Sequence, residues 1–306
     1  MQAYSIGVDI GGTFTKIGIV DKQGNILSKT QIQTASHQNV EDFLMEIRDE
    51  IKKLFDQSKL KIQQIEGIGV GAPNGNGLDG CIHYAPNLPW KGKIPLVKML
   101  EKIIGLPVFL NNDANAAAIA EKIFGQARES NDFAVITLGT GLGSGIFSQG
   151  KLLYGATGMA GELGHTILFP NGRLCSCGNK GCVETYVSVR GFLQNYRELV
   201  GKNTEVTPEK IIALAMQENA LAQQAIELTA YYLGIALANL VNLFSLDLIL
   251  LTGGLMTQGE MFLPHIQQSF KNHVLPVFEN VTIKLSQFNT SEAGLLGASA
   301  LVYYHN

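Results

Sequence analysis

The chain has 306 residues, 46% of them hydrophobic and 16% charged, with a formal net charge of -3. This balance is globular and excludes a disordered chain, and the length admits two cores, since a single core stops growing near ~250 to 300 residues. No block of like charge stands out, so nothing favours nucleic acid, which calls for a basic patch or stripe.

Tyr4 to Asp9 reads as an apolar strand, with no basic start and long apolar core of a signal peptide before it. A cytoplasmic protein is the expectation. Lys16 to Asp21 and Ile26 to Ile32 follow as hairpin strands between turn residues. Val40 to Leu54 has helical spacing, with Phe43, Leu44, Ile47, Ile51 and Leu54 on one face. Ile65 to Val70 and Val108 to Leu110 are short apolar strands, the second leading into a helix from about Ala114 to Phe124.

The chain then starts again. Ala134 to Leu138 runs into Gly139-Thr140-Gly141-Leu142-Gly143, much as Ile6 to Asp9 runs into Gly11-Gly12-Thr13, and placing Asp9 over Thr137 aligns the two hairpins. Two copies of one unit predict two similar domains; the plainer reading is that glycine-rich hairpins look alike. Further on, Thr207 caps a helix with Pro208 at its first position, and a long helix runs from about Leu221 to Phe244. The strand Leu246 to Leu251 then leads to the turn Thr252-Gly253-Gly254. Leu233 to Leu251 is apolar enough to resemble a membrane span, but Asn239, Asn242, Ser245 and Asp247 interrupt it. A buried helix followed by a buried strand, with no membrane, is the better reading. The last helix, about Glu292 to Tyr303, is expected to pack back across the first domain. No Pro-, Ser- or Gly-rich linker divides the chain, so residues 1–112 with about 292–306 form one expected lobe and 113–291 the other, the boundary falling near Asp113.

Three glycine turns, Gly11-Gly12-Thr13, Gly139-Thr140-Gly141 and Gly253-Gly254, each follow an apolar strand. Glycine lets backbone N–H groups approach a phosphate and Thr adds a hydroxyl, so the turns suit a nucleotide with several phosphates. There is no G-x-x-x-x-G-K-[ST], and Gly67 to Ala72 matches G-x-G-x-x-A only to meet Pro73-Asn74-Gly75 where a helix should open. Asp9 places a carboxylate beside the first turn, as a Mg²⁺ ligand or simply a turn former. In Asn111-Asn112-Asp113 any residue could cap the helix that follows; alternatively Asp113 accepts a proton from a substrate hydroxyl while Asn112 holds the alcohol.

Three of the four cysteines, Cys175, Cys177 and Cys182, lie close together among glycines, with His165 before them. A His and three thiolates make a closed tetrahedral zinc set with no position for water, so the metal reads as structural; buried reduced thiols are the alternative. Glu162 and Glu184 flank this zinc loop, 165–184, as acids free to grip a polyol. Cys81 stands alone as a buried thiol, and Lys16 and Lys151 either neutralise phosphate or lie solvated.

Together these residues resemble the family of sugar kinases and sugar-responsive repressors called ROK (repressor, open reading frame, kinase). The matching motifs are Asp9-Ile-Gly-Gly-Thr13 with Thr15-Lys16, Gly71-Ala72-Pro73, Asn87-Leu88-Pro89-Trp90, Asn112-Asp113-Ala114-Asn115-Ala116, Leu138 to Gly143, Gly161-Glu162-Leu163-Gly164-His165, Cys175-Ser176-Cys177-Gly178, Gly181-Cys182-Val183-Glu184 and Thr252-Gly253-Gly254. The resemblance implies an α/β chain of the actin-like ATPase fold, with two ribonuclease H-like lobes and a cleft between them. It implies ATP with Mg²⁺ at Asp9, Gly11, Gly12, Thr13, Thr15, Lys16, Gly139, Thr140, Gly141, Gly253 and Gly254, and Asp113 as the base at the 6-hydroxyl of a hexose. Asn112, Glu162, His165 and Glu184 map onto sugar positions, and His165, Cys175, Cys177 and Cys182 onto zinc ligands. A homodimer is implied too.

Two departures stand out. Phe14 replaces the small or polar residue that many members carry, and nothing functional follows from it. Pro73-Asn74-Gly75-Asn76-Gly77 replaces the usual Pro-Gly-rich loop beside the sugar, leaving Gly75 and Asn76 as candidate sugar contacts. The wording around Ala85 to Trp90 resembles glucokinase-like members, so glucose is the first expected substrate. An N-acetylhexosamine (ManNAc or GlcNAc) kinase and a fructokinase are the alternatives, followed by a non-catalytic sugar sensor. Repressors of the family carry a helix-turn-helix before the first glycine turn, and only eight residues precede Asp9, which argues against that role.

Overall fold

Tyr4–Ile10 (β1) is buried along nearly its whole length because it lies in the middle of a five-stranded sheet. Phe14–Asp21 (β2) pairs with it antiparallel, and Ile26–Gln33 (β3) pairs antiparallel with β2. On its other side β1 runs parallel to Ile65–Gly71 (β4), which is parallel in turn to Val108–Asn111 (β8). Between these last two, Gly75–Asn76 (β5), Cys81–His83 (β6) and Lys93–Ile94 (β7) make a separate three-stranded sheet. The computed structural model describes residues 3–201, 205–289 and 291–306.

Helix α1, Val40–Ser58, buries Phe43, Leu44, Ile47, Ile51 and Leu54, the face expected from their spacing. Each such side chain stabilises the fold by ~1.5–3 kcal/mol. The Asn39 side chain caps the helix start by accepting from Glu41 N–H, and Lys59 ends it in a left-handed conformation. Leu96–Ile104 (α2) and Asp113–Ile123 (α3) follow, and the C-terminal helix, Ala293–His305, packs across β1 and β4. That close packing depends on glycine. A Cβ on Gly69 would lie 1.7 Å from the Ala298 carbonyl oxygen, and one on Gly7 would lie 2.5 Å from that of Leu295.

The first sheet is ordered β3-β2-β1-β4-β8, and the same arrangement recurs further along. Phe133–Leu138 (β9), Leu142–Ser148 (β10), Lys151–Leu152 (β11), Leu248–Thr252 (β12) and Thr282–Leu285 (β13) form a sheet ordered β11-β10-β9-β12-β13. As in the first sheet, the hairpin partner is antiparallel and the later strands run parallel. The repeat read between the two hairpins is therefore a repeat of whole sheets. Glu184–Val187 (α4), Val189–Val200 (α5), Pro208–Met216 (α6), Ala220–Phe244 (α7) and Leu263–His273 (α8) belong to this second half.

Helix α7 is long and apolar enough to cross a membrane, yet Leu233, Leu237, Leu240 and Val241 are buried within the protein, and α5 and α8 pack on it. Gly234 lets α8 approach closely, since a Cβ there would lie 2.5 Å from that of Ser269. Ser245, left-handed at φ 54, ends the helix before β12 begins.

The chain divides into one unit of Met1–Glu129, Leu152–Ala160 and Ser291–Asn306, and another of Ser130–Lys151 and Gly161–Thr290. The first unit thus runs past the boundary expected at Asp113. The physical reason is that α3 packs against the C-terminal helix of the first unit, with a Cβ on Gly297 placed only 3.0 Å from Ala116 backbone.

Candidate active site

In the first unit, Asp9 is the last but one residue of β1, paired with Lys16 on β2 and Gly71 on β4. Burial raises its carboxyl above the usual range, and the Lys16 ammonium pulls it part of the way back. Lys16 itself donates to the Ser291 carbonyl at 2.8 Å. A Cβ on Gly294 would stand 2.2 Å from Asp9 Oδ2, so the carboxylate fits against the first turn of the C-terminal helix only because residue 294 is glycine. The positive end of that helix favours a carboxylate there. Sequence reasoning missed Gly294; its signal was the small residues Ala293, Gly294, Gly297, Ala298, Ser299 and Ala300, broken only by Leu295 and Leu296. In the turn, Gly11 N–H donates to the Phe14 carbonyl at 3.0 Å, and Gly12 lies against the Asn87 carbonyl, which a Cβ would approach to 2.7 Å. Thr13 is exposed. Thr15 is not brought to the turn surface: it is fully buried and its hydroxyl bonds Thr34 Oγ1 at 2.7 Å, because strand alternation turns it away from the face of Lys16.

At the end of β8, Asn111 is fully buried and accepts from Asn112 N–H at 3.0 Å and Asn115 Nδ2 at 2.9 Å, while donating to Tyr154 Oη at 3.1 Å. Asn112 Oδ1 caps α3 by accepting from Asn115 N–H at 2.8 Å, which leaves its Nδ2 to donate to another group. Asp113 opens α3 and is exposed, yet enough protein surrounds its carboxyl to desolvate it. Desolvation, and then the charge of Asp9, push its pKa up to about 7.

Gly75 and Asn76 have structural work instead of an open surface. A Cβ on Gly75 would lie 2.6 Å from the Asn111 carbonyl. Asn76 is buried, donates to the Thr157 carbonyl at 2.7 Å and accepts from Leu78 N–H at 2.9 Å, so its amide is spent pinning the 152–160 segment.

In the second unit the turn after β9 is closed by Gly139 N–H donating to the Gly141 carbonyl at 3.0 Å. Thr140 is exposed at its tip, and a Cβ on Gly139 would meet nothing. Gly253, at φ 100, lies against the Leu138 carbonyl, which a Cβ would approach to 2.5 Å. The second and third glycine turns are thereby brought side by side, with open space in front of Gly254. Next to Gly254 a cavity of about 220 Å³ is lined by Pro208, Ile212, Met216 and Leu255 among others. These apolar positions carried no signal in the sequence, because a pocket wall and a core face have the same helical spacing.

Gly161 and Gly164 hold the next segment against β10, since a Cβ on either would come within 2.6 Å of the Ser144 or Leu142 carbonyl. Glu162 is therefore exposed beside His165, with its Oε2 3.9 Å from His165 Nε2. The other ring nitrogen, Nδ1, is 3.7 Å from Cys175 Sγ, and Cys177 and Cys182 sulfurs are also 3.7 Å apart. All four ligand atoms fall within 4.8 Å of one another. A tetrahedron with Zn–S bonds of ~2.3 Å puts sulfurs about 3.8 Å apart, so the Cys177–Cys182 separation is one that zinc takes and the donor set is compatible with it. Burial and the adjoining sulfurs push the Cys182 thiol up to about 12, a cost that a divalent cation would remove.

Glu184, the remaining sugar candidate, has both carboxylate oxygens next to protein groups. Its Oε2 accepts from Leu142 N–H at 2.9 Å, directly beneath Gly141, where a Cβ would come within 2.4 Å of the carboxylate. Its Oε1 faces Cys175 Sγ at 4.0 Å. The carboxylate joins the cysteine cluster to the second glycine turn.

A sequence profile described as the ROK family matches residues 5–304. The glucokinase of Halalkalibacterium halodurans is 34% identical over 314 residues, covering 98% of this chain and 94% of that protein. The xylose repressor of Caldicellulosiruptor bescii is 32% identical, over 97% of this chain and 77% of the repressor. A crystal structure of a ROK family glucokinase from Streptomyces griseus in complex with glucose and AMPPNP superposes with a TM-score of 0.80 at 32% identity, covering 99% of this chain and 100% of that one. With its paired sheets, its glycine turns and this likeness along its whole length, the chain belongs to the ROK family and has the actin-like ATPase fold.

Proposed function

We propose that the chain is an ATP-dependent hexose kinase that transfers the γ-phosphate of ATP to the 6-hydroxyl of a hexose, glucose first. The observation that carries this reading is Asp113. A carboxyl at about 7, at the start of a helix and next to Asn112, whose side chain caps that helix, is poised to take a proton near neutral pH. Asp113 takes the proton of the sugar 6-hydroxyl as that oxygen bonds to the γ-phosphorus. The bond from the γ-phosphorus to the bridging oxygen breaks, and ADP leaves. Asn112 Nδ2 orients the alcohol, and Glu162 and His165 Nε2 hold other hydroxyls.

The turns at Gly11–Thr13, Gly139–Gly141 and Gly253–Gly254 receive the phosphates through backbone N–H groups. The cavity beside Gly254 receives the base. Asp9 would hold Mg²⁺, which supplies neutralisation of phosphate charge when bound. Zinc at His165, Cys175, Cys177 and Cys182 is structural, since four protein ligands leave no open position. A cytoplasmic setting and a homodimer belong to the same proposal and rest on family resemblance.

The test is ADP release measured by a coupled assay with glucose, mannose, fructose and the N-acetylhexosamines. Glucose is expected to give the highest kcat/KM. Preference for an N-acetylhexosamine or fructose would reassign the sugar, and saturable sugar binding without ADP release would make the chain a sensor, as the repressor relative's name brings to mind.

A further inference from the structure

The small sheet β5-β6-β7 carries a set of metal donors separate from the His165 cluster. Ile82 of β6 is fully buried in the core, so Cys81 and His83 share the opposite face of the strand, with Asp79 in the turn just before. The ligand atoms of Asp79, Cys81 and His83 all lie within 4.8 Å of one another. His83 Nε2 is 2.9 Å from Asp79 Oδ2, and Cys81 Sγ is 3.4 Å from the Asp79 carbonyl oxygen. The carboxylate is already oriented, because its Oδ1 accepts from Cys81 N–H at 3.0 Å.

We propose that Asp79, Cys81 and His83 form a second metal site, for zinc or a similar borderline divalent transition ion, with solvent as the fourth ligand. A thiolate, a carboxylate and a neutral imidazole are the donors this class of ion takes, whereas Mg²⁺ and Ca²⁺ prefer oxygen alone. One thiolate and one carboxylate also balance the charge of a divalent ion. At present Lys93 Nζ, 2.8 Å from Asp79 Oδ2, supplies the positive charge. Its side chain is 51% exposed, so it moves out to water readily when an ion takes its place. The Cys81 proton passes to solvent on binding.

The site is wired to the loop expected beside the sugar. His83 N–H donates to the Asn74 carbonyl at 3.1 Å, and Asn74 Nδ2 donates to the His83 carbonyl at 3.0 Å. An ion on His83 therefore stiffens the segment from Asn74 to Asn76. Unlike the closed cysteine cluster, a site with a solvent ligand and a half-buried imidazole exchanges its metal with the medium.

The experiment measures zinc per chain after equilibrium dialysis of the intact protein in a zinc buffer, for wild type, His83→Ala and Asp79→Asn. Wild type is expected to hold one equivalent more than either variant. Because the result is a difference at residues 79 and 83, it stands whether or not the His165 cluster is filled. Cobalt(II) gives a second reading: a thiolate-to-metal absorption band present in wild type should lose one site's intensity in Cys81→Ser and in His83→Ala. Equal zinc content in wild type and both variants, with an unchanged cobalt spectrum, would overturn the proposal.

Discussion

Glu184 and Leu142 are joined by a hydrogen bond of 2.9 Å from the Leu142 backbone to the Glu184 carboxylate, whose second oxygen lies 4.0 Å from the Cys175 sulfur. One side chain thus holds the base of the second glycine turn and touches the cysteine cluster. Order in the cluster is order in the turn. Replacing Glu184 by Ala leaves the buried Leu142 N–H without a partner, which costs ~1–3 kcal/mol. The expected result is a rise of about tenfold in the KM for ATP in Glu184→Ala, with Glu184→Gln closer to wild type. A rise confined to the KM for sugar would instead give Glu184 the sugar-binding role implied by the family resemblance.

Asp113→Asn keeps the shape of the site and removes the base. Turnover should fall by ~10²–10⁴-fold, while sugar affinity measured by calorimetry stays within a few-fold of wild type. Wild-type-like turnover would end the assignment. The same change should not harm folding: a carboxyl whose folded pKa is raised loses stability as pH climbs from the ordinary carboxylate range through about 7, and Asn removes that loss.

The pH dependence follows from the same group. Below about 7 Asp113 is protonated and cannot accept a proton, so kcat/KM should rise with pH through that value. The charge of Asp9 is the second cause of the shift, after desolvation. In Asp9→Asn the rising limb should therefore move to lower pH, read as a midpoint and independent of the residual rate. A limb that stays in place would mean that Asp9 and Asp113 do not interact.

Removing one zinc ligand should weaken fold and activity together. In Cys177→Ser the expected outcome is a lower Tm and a loss of bound metal, with activity falling in parallel. A variant that is metal-free, fully active and unchanged in Tm would contradict a structural metal.

Gly294→Ala tests the approach of Asp9 to the C-terminal helix. The added Cβ would stand 2.2 Å from Asp9 Oδ2, so the carboxylate or the helix must shift. A destabilisation of ~1–3 kcal/mol in urea denaturation is expected, although alanine has the higher helix propensity. Unchanged or increased stability would show that the contact yields freely.

Much of this protein was legible in its residues. The apolar face of Val40 to Leu54, the glycine turns after Asp9 and Leu138, the cluster of His165 with its cysteines, and Asp113 at a strand end were all readable, because each is a local pattern with a local cause. Periodicity and metal-ligand spacing act over a few residues, and a sequence records them directly. What the tertiary structure alone decided was how those groups are used. Thr15 looks like a second phosphate hydroxyl, but Thr34 on the chain beyond β3 takes it into the core. Asn76 looks like a sugar contact, but Thr157, remote in sequence, occupies its amide. Glu184 looks like a free acid, but Leu142 claims it, and Gly294 matters only because Asp9 lies against it. Each of these outcomes is a pairing between residues far apart in the chain, and a polar group's role depends on which partner satisfies it once water has been excluded. That partner is chosen by the packing of sheets and helices, which no short stretch of sequence contains.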